Sequence, residues 1–211
     1  MNGIKAVLFK SLAVFLFIGF AIPMLVLERS RDDRPSVILH VMSKCPDAVL
    51  CEQLFDRVLQ QIGNSSTIDF SLQYIADTAN PAAIQCKHGD EECIGNKQQL
   101  CARQLFPSWF AFVLCSNTDY RNIPSNSDQC FKDTISQSPD DMTRFNDCVM
   151  TEGSQLLRDS ADASKVKGIS TSCSIEINNK VVCVHDGVWR DCPNGHSVQD
   201  FVQLILEKKL N

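Results

Sequence analysis

The sequence predicts an α/β fold with a helical, disulfide-rich insertion, and three features of the chain support that prediction. The first globular segment reads as strand, helix and strand, with a Cys-Pro pair where the strand gives way to the helix. The middle of the chain lacks strand alternation and holds six of the eleven cysteines. The final part returns to strand patterns and closes with an amphipathic helix. Strands at both ends of a helical segment indicate one mixed α/β domain.

The opening unit follows from residue periodicity. Val37–Met42 is a short, β-branched apolar run, typical of a buried strand. A helix should start directly after Cys45, because Pro46 suits the first helical position and Asp47 places an acidic residue in the first turn. Apolar residues then recur at helical spacing, which predicts that the helix ends near Gly63.

A half-buried strand is predicted at Thr67–Ile75, where apolar and polar residues alternate. The segment from about 80 to 164 then carries helical patterns separated by Pro and Asn/Ser clusters. Its six cysteines indicate an insertion stapled by disulfides.

The last part of the chain predicts a hairpin and a helix. Ser174–Ile177 and Lys180–His185 flank the pair Asn178-Asn179, a signal for a two-residue hairpin turn. Ser197–Lys209 carries apolar residues at helical spacing and should pack as the closing helix.

Charge and cysteine spacing argue against a nucleic-acid-binding protein and against zinc sites. The chain has 211 residues, a net charge of −5 and 21% charged residues. No Lys/Arg cluster forms a phosphate-binding stripe, which argues against nucleic-acid binding. The eleven cysteines are spread along the chain rather than grouped as C-x2-C pairs, so they favour a disulfide framework over zinc sites. That framework indicates an oxidising compartment.

The N-terminal region predicts entry into the secretory pathway. An uncharged apolar run follows two lysines, and it fits either a signal anchor or a cleaved signal peptide with a weak site at Gly19–Ala21. Asn64 begins an Asn-Ser-Ser sequon, a candidate glycan acceptor. The predicted divisions are a charged flank (1–10), the apolar segment (11–27), a linker (28–36) and one domain (37–211).

One motif is far more specific than these patterns. It reads C-x-H-G-x-x-E-C-x-x-N-x-x-x-x-C, and its specified residues are Cys86, His88, Gly89, Glu92, Cys93, Asn96 and Cys101. The motif resembles the signature of the gamma-interferon-inducible lysosomal thiol reductase (GILT) family, differing at Lys87, where the usual residue is Gln. Val37–Ser43 with the following Cys-Pro, Asp147–Leu156 and Ile175–Asn178 resemble further family segments, so the resemblance runs from about residue 37 to 210.

The resemblance implies a thioredoxin-like fold and a thiol-disulfide oxidoreductase. Its substrates would be disulfide-bonded proteins, reduced with a small thiol in a lysosomal, vacuolar or extracellular space. It implies no cofactor. Cys45 would be the nucleophile, because a helix N-terminus stabilises a thiolate. Pro46 and Asp47 would shape the turn, although a charged Asp47 would oppose the thiolate.

The sequence departs from the thioredoxin-like pattern after Cys45. The second cysteine of C-x-x-C is replaced by Ala48, and the next thiol is Cys51. Six helical residues span about 9 Å along the axis. A disulfide needs Cα atoms within about 7 Å. Cys45 and Cys51 should therefore not bridge, and Cys51 is expected to be a structural half-cystine or a buried thiol.

A second departure concerns the loop that the resemblance places beside the active-site cysteine. The family has a cis-proline there, whereas this chain has Ser172-Cys173-Ser174. A cis peptide without proline costs about 3 kcal/mol, so a trans loop is predicted. We hypothesise a redox pair between Cys45 and Cys173; a permanent bridge between the same residues, or Cys173 bonded elsewhere, stays open.

The other cysteines are interpreted as structural. Cys183 could bond to Cys192 across a short loop, and Cys130 to Cys148 between neighbouring helices. Because eleven is odd, at least one thiol is free or pairs between chains, and Cys45 is the first candidate.

Histidines in the chain invite catalytic or metal-binding interpretations. Within the signature, His88 and Glu92 have helical spacing, but a structural role is favoured, with Gly89 in a special backbone conformation and Asn96 as a cap or turn residue. His40 is expected to be a hydrogen-bonded core residue. His185 and His196 are placed on turns, with no partners at metal spacing.

Two other functions remain compatible with the sequence. Loss of both the second cysteine and the proline would suit a binding or chaperone-like scaffold whose disulfides are all structural. A monothiol isomerase or a glutathione-linked variant would keep Cys45 and dispense with an internal partner.

Overall fold

The computed structural model describes residues 34–63 and 67–209, and it confirms the predicted α/β fold. Within these residues, five strands form one mixed sheet in the order β2-β1-β3-β4-β5. β1 and β2 are parallel, and the other neighbours are antiparallel. The strands are β1 Ser36–Val41, β2 Asp69–Tyr74, β3 Ser174–Ile177, β4 Lys180–Asp186 and β5 Val188–Arg190.

Seven α-helices surround the sheet in the described part of the chain. The first helix connects the two parallel strands, and the last packs against the first. The sixth lies along β2. The helices are α1 Pro46–Ile62, α2 Asp90–Leu105, α3 Trp109–Asn117, α4 Ser127–Thr134, α5 Pro139–Thr151, α6 Gly153–Val166 and α7 Val198–Lys209.

Helix α1 begins and ends where its sequence predicts. Pro46 occupies the first turn, where its missing N–H leaves no intrahelical bond unmade. At the other end Gly63 has φ +78° and donates its N–H to the carbonyl of Leu59 at 3.1 Å. A residue with a Cβ rarely adopts that φ, so glycine stops the helix at low cost.

Helices α2 to α6 form the predicted insertion between β2 and β3, with a core of their own built on Phe106, Phe112, Phe131 and Phe145. Two disulfides staple it, Cys101–Cys148 and Cys115–Cys130. The predicted Cys130–Cys148 bridge is therefore wrong. The reason is the helix arrangement, since α5 packs on α2 while α4 packs on α3.

The hairpin near the C-terminus is confirmed. Asn178 (φ +48°) and Asn179 (φ +64°) make the two-residue turn between β3 and β4, as the twist of paired strands favours. The short strand β5 was not predicted. Placing His185 on a turn was wrong: it lies in β4, as the predicted strand Lys180–His185 implied, because the strand continues one residue further, to Asp186.

His40 is confirmed as a core residue with hydrogen-bond partners. Its side chain is 1% exposed. The two ring nitrogens lie 2.9 Å from Ser164 Oγ and 3.1 Å from Glu176 Oε2. Burial lowers the pKa of His40, and the neighbouring Glu176 opposes that shift.

Two predictions fall outside the described residues: the apolar segment 11–27 and the sequon at Asn64. Across residues 34–63 and 67–209, no helix has both the length and the apolar composition needed to cross a membrane.

Candidate active site around Cys45

Cys45 is the N-cap residue of α1, reached from β1 through a tight turn. Its backbone is extended (φ −93°, ψ 127°), and its N–H donates to the carbonyl of Met42 at 2.9 Å. The residue is 7% exposed. Among the eleven cysteines, all of which lie in the described ranges, it is the free one. The prediction that Cys45 is unpaired is therefore confirmed.

The sulfur of Cys45 faces two oxygen acceptors. Sγ lies 3.8 Å from Asp47 Oδ2 and 3.9 Å from the carbonyl oxygen of Ser172. The other carboxylate oxygen of Asp47 accepts a hydrogen bond from the Gly187 N–H at 2.9 Å and lies 2.6 Å from His185 Nδ1. Asp47 therefore connects the thiol to the imidazole of His185 in β4.

His185 is held in place by aromatic neighbours as well as by Asp47. Its side chain is 8% exposed. Its ring meets the Trp189 ring edge to face, with centroids 4.7 Å apart. Trp189 in turn stacks on His196 at 5.1 Å. The edge-to-face contact with Trp189 restricts the rotation of the imidazole and keeps Nδ1 directed at Asp47.

The hypothesised pair between Cys45 and Cys173 is wrong, because Cys173 is bonded to Cys51. The two Cα atoms of that bridge are 6.5 Å apart, and both cysteines are 0% exposed. Cys51 lies on the core face of α1, while Cys45 sits at the start of the helix. Cys173 therefore bonds to Cys51 on the core face of α1, and Cys51 is a buried half-cystine.

The loop before β3 also differs from its prediction. The peptide bond between Ser172 and Cys173 is cis, not trans. Cys173 and His185 exchange two backbone hydrogen bonds, of 3.0 and 2.9 Å, and the Ser172 hydroxyl accepts from the Met42 N–H at 3.1 Å. These tertiary contacts outweigh the intrinsic preference of a non-proline peptide for trans.

The predicted bridge between Cys183 and Cys192 is confirmed. A further bridge joins Cys86 to Cys93, within the signature. With these, five disulfides account for ten cysteines of the described chain. Cys101 is the third signature cysteine, and its bond to Cys148 ties α2 to α5.

Asn96 was predicted to cap a helix or make a turn, and this prediction is wrong. It lies inside α2 and is fully buried. Its Oδ1 accepts a hydrogen bond from the Ser43 N–H at 3.0 Å, and its Nδ2 lies 3.8 Å from Cys86 Sγ. Ser43 is two residues before Cys45, so the amide is used to hold the active-site turn against α2.

The side chains of His88 and Glu92 are hydrogen-bonded to each other, but they do not share a helix face. His88 precedes Gly89, which has φ +89° and begins α2, so only Glu92 is helical. Glu92 is fully buried, and its carbonyl accepts from the Ser43 hydroxyl at 3.2 Å. The signature thus supports the Cys45 turn. In the described chain, no three His, Cys, Asp or Glu side chains are placed to hold a metal ion.

Comparison with known families fits this geometry. Residues 36–134 match the model of the family described as "Gamma interferon inducible lysosomal thiol reductase (GILT)". Over these 99 of its 211 residues, the chain is similar to the GILT family. The matched segment includes β1, the Cys45 turn and the whole signature, so the resemblance stated from the motif is confirmed. No curated protein sequence matches this chain.

Solved structures share its fold. The oxidised form of BdbD from Bacillus subtilis has 11% identity and a TM-score of 0.56, over 87% of this chain and 91% of that one. MdbA from Actinomyces oris, described as a thiol-disulfide oxidoreductase, has 10% identity and a TM-score of 0.57, over 82% and 80%. A thioredoxin-like oxidoreductase from Silicibacter pomeroyi DSS-3 has 11% identity and a TM-score of 0.55, over 82% and 85%. At these identities the likeness shows the thioredoxin-like fold alone.

Lys44 anchors the Cys45 turn from its other side. Its ammonium donates to Glu91 Oε2 at 2.7 Å and to the carbonyls of Arg121 and Ile123 at 2.8 and 2.6 Å. The charge of Lys44 is therefore satisfied away from the Cys45 sulfur. Together with Asn96, it fixes both residues that precede Cys45.

Sequence reasoning missed the contact between Asp47 and His185, which lie 138 residues apart. A usable signal was present in the predicted hairpin. The turn at Asn178-Asn179 sets β4 antiparallel to β3, so it brings His185 close to Cys173. Because the resemblance already placed Cys173 beside Cys45, His185 could have been assigned to the site.

Proposed function

We propose that this protein is a thiol-disulfide oxidoreductase of the GILT type that reduces protein disulfides, with Cys45 as its nucleophile. One observation carries the proposal: Cys45 is unpaired at the N-terminus of α1, whereas the other ten cysteines are bonded to one another. Unbonded N–H groups of the first helical turn stabilise a thiolate at that position. A thiolate is the species that attacks a disulfide.

The first step forms a mixed disulfide. The Cys45 thiolate attacks one sulfur of the substrate, the substrate S–S bond breaks, and the other substrate sulfur leaves as a thiolate that takes up a proton. The new bond joins Cys45 to the substrate. Similarity to the GILT family and the fold support this chemistry, and Cys45 supplies the sulfur that it requires.

Resolution is assigned to an external small thiol. With Ala48 in place of the second cysteine, the adjacent position has no sulfur. Cys51 and Cys173 are fully buried and already bonded. One small thiol displaces the substrate from Cys45, and a second displaces the first and restores the Cys45 thiol. Two thiols are thus oxidised to one disulfide for each substrate disulfide reduced.

The proposed place of action is a lumenal or extracellular space, including the lysosome or vacuole. The five disulfides of the described residues support it, because disulfides persist in oxidising compartments and are rare in the cytosol. The apolar segment 11–27 would direct the chain there as a signal peptide or a signal anchor. Disulfide-bonded proteins would be the substrates.

The test is reduction of a denatured, disulfide-bonded protein by the full chain, with a small thiol as electron source, at pH 4.5 and 7. Wild type should exceed the rate of the small thiol alone, and Cys45→Ser should not. The double variant Cys51→Ser with Cys173→Ser is the matched control, because it removes the buried bridge and keeps Cys45. It should retain turnover if an external thiol resolves.

A scaffold without redox activity is the second candidate. It is favoured by the small exposure of Cys45, at 7%, and by the absence of any other free cysteine in the described chain. If wild type and Cys45→Ser are equally inert at both pH values, the oxidoreductase proposal fails. The scaffold then stands.

A further inference from the structure

The proposed exchange reaction leaves the Asp47–His185 pair without a role. Asp47 Oδ2 lies 3.8 Å from Cys45 Sγ, and Asp47 Oδ1 lies 2.6 Å from His185 Nδ1. The side chains of His185 and Asp47 are 8% and 18% exposed. Charges so little exposed to water interact more strongly than charges on the surface. The protonation of this pair must therefore affect the sulfur beside it.

The 2.6 Å contact defines the protons that the pair can hold. Asp47 Oδ1 and His185 Nδ1 are both acceptors unless a proton lies between them, so this distance requires one. With that proton alone, the pair carries a net charge of −1. A second proton, on the other ring nitrogen of His185, makes the pair neutral overall.

We propose that Asp47 and His185 together accept the proton of Cys45, and that the charge on His185 decides whether Asp47 opposes the thiolate. This inference rests on the proposed role of Cys45 as the nucleophile. The proton leaves the thiol and ends on the pair, so the total charge is −1 before and after. The thiolate then faces a neutral pair instead of a lone carboxylate. Asp47 touches the reacting sulfur, whereas His185 acts through Asp47 as a positioning residue.

Other charged groups near the site have partners of their own. The ammonium of Lys44 is bound by Glu91 and two carbonyls. On the opposite side, Asp186 pairs with Arg190 at 2.8 Å. From the loop before β3, the sulfur meets only the uncharged carbonyl of Ser172.

The signature helix contributes a third partnered group, the hydrogen-bonded pair of His88 and Glu92. This pair is connected to the Cys45 turn through Ser43, whose hydroxyl donates a hydrogen bond to the Glu92 carbonyl. Among the described residues, Asp47 is therefore the titratable group that contacts the Cys45 sulfur, and His185 reaches the sulfur through Asp47. The consequence is a Cys45 thiolate that a charged His185 favours, by neutralising Asp47, and that a lone Asp47 carboxylate opposes.

The test measures the rate at which iodoacetamide alkylates Cys45 in the native full chain between pH 4.5 and 9, followed by mass spectrometry. Iodoacetamide reacts with the thiolate, which displaces iodide, so the rate reports the thiolate without requiring turnover. The variants are His185→Gln and Asp47→Asn. His196→Gln is the matched control, because it removes an exposed histidine that stacks on Trp189 and does not touch Asp47.

The two variants should change the profile in opposite ways. At pH 5, His185→Gln should react about tenfold more slowly than wild type, because a lone Asp47 charge faces the sulfur; at pH 8.5 the two should agree. Asp47→Asn should react about tenfold faster than wild type at pH 8.5, where the opposing carboxylate is gone. His196→Gln should match wild type at every pH.

Several results would overturn the inference. If the alkylation rate of His185→Gln follows that of wild type at every pH, His185 is not coupled to the Cys45 sulfur. If both variants react more slowly by the same factor at every pH, the pair only shapes the turn. If circular dichroism shows that His185→Gln does not fold, Asp47→Asn still tests the inference. An alkylation rate in Asp47→Asn equal to that of wild type at every pH would refute the inference. No alkylation of wild type at any pH defeats the inference and the proposed function together. A shifted profile without substrate reduction defeats only the proposed function.

Discussion

At the scale of single residues, Ala48 determines what chemistry the site can perform. It is 1% exposed and lies three residues after Cys45, about one helical turn below it. A cysteine there would lie close enough to resolve a mixed disulfide within the chain. An alanine leaves the mixed disulfide exposed to whichever thiol arrives from solution, which is why the proposed mechanism consumes two external thiols.

Ala48→Cys should restore an internal partner for Cys45. After air oxidation, alkylation under denaturing, non-reducing conditions should find one free thiol in wild type and none in the variant, because the new pair closes within one helical turn. Ala48→Ser is the control of matched size and should keep the single thiol of wild type. Two free thiols in oxidised Ala48→Cys would contradict the assigned geometry.

Asn96→Ala should destabilise the protein, because it leaves the buried N–H of Ser43 without its acceptor. The expected loss is about 1–3 kcal/mol in the free energy of unfolding, measured with urea. Gln104→Ala is the control on the same helix, since its amide bonds to Glu152 at the surface. Its effect should stay within about 0.5 kcal/mol. Equal losses in the two variants would mean that Asn96 does not support the turn.

At the scale of secondary-structure elements, α2 acts as the support of the active-site turn. Asn96 binds Ser43, and Gly95 lets the helix approach it closely. A Cβ at Gly95 would come within 2.7 Å of the Ser43 hydroxyl oxygen and would also collide with Ile123. The spacing of the signature is thus set by contacts that hold the residues just before Cys45.

The elements were predictable from sequence because their signals are local. Pro46 after Cys45 marks the start of α1, and Asn178-Asn179 marks the β3–β4 turn. The cysteine pairing was not predictable, because it depends on which faces meet after folding. Cys173 bonds to a residue 122 positions away, and nothing near Cys173 in the sequence distinguishes Cys51 from Cys45.

Removing the two disulfides of the insertion should destabilise it unequally. Cys101 and Cys148 are separated by 47 residues, and Cys115 and Cys130 by 15. Chain entropy predicts losses of about 4 kcal/mol for the longer loop and about 3 kcal/mol for the shorter. Double alanine variants of each pair, unfolded in urea, would measure both losses. A larger loss for the shorter loop would show that packing at the sulfurs, not loop closure, dominates.

At the scale of the whole molecule, a buried carboxyl joins three elements of the fold. Glu52 of α1 is 1% exposed and accepts a hydrogen bond from the side chain of Asn117 in α3. Tyr74 of β2 lies close enough for Glu52, after burial itself, to raise the pKa of its hydroxyl. Burial raises the pKa of Glu52 to about 8, and the Asn117 hydrogen bond only partly opposes it. The folded chain therefore keeps Glu52 protonated at neutral pH.

This pKa links the stability of the whole fold to pH. An unfolded Glu loses its proton near pH 4.5, whereas folded Glu52 holds it to about pH 8. Across that window the folded state binds one more proton, so stability is fully present below pH 4.5 and falls as pH rises towards 8. The fall is on the order of a few kcal/mol. His40 acts in the opposite sense, since its lowered pKa removes stability as pH falls below 6.5.

Glu52→Gln isolates the contribution of the carboxyl, because the amide is the same size and does not titrate. Both proteins are unfolded in urea at pH 5, 6.5 and 8. In the difference between their free energies of unfolding, the contributions of His40 and of the surface groups cancel. Wild type should lose stability relative to Glu52→Gln as pH rises, with most of the change between pH 5 and 8. A constant difference would show that Glu52 is not held protonated in the fold. The expected result would make the protein most stable relative to this variant under acidic conditions.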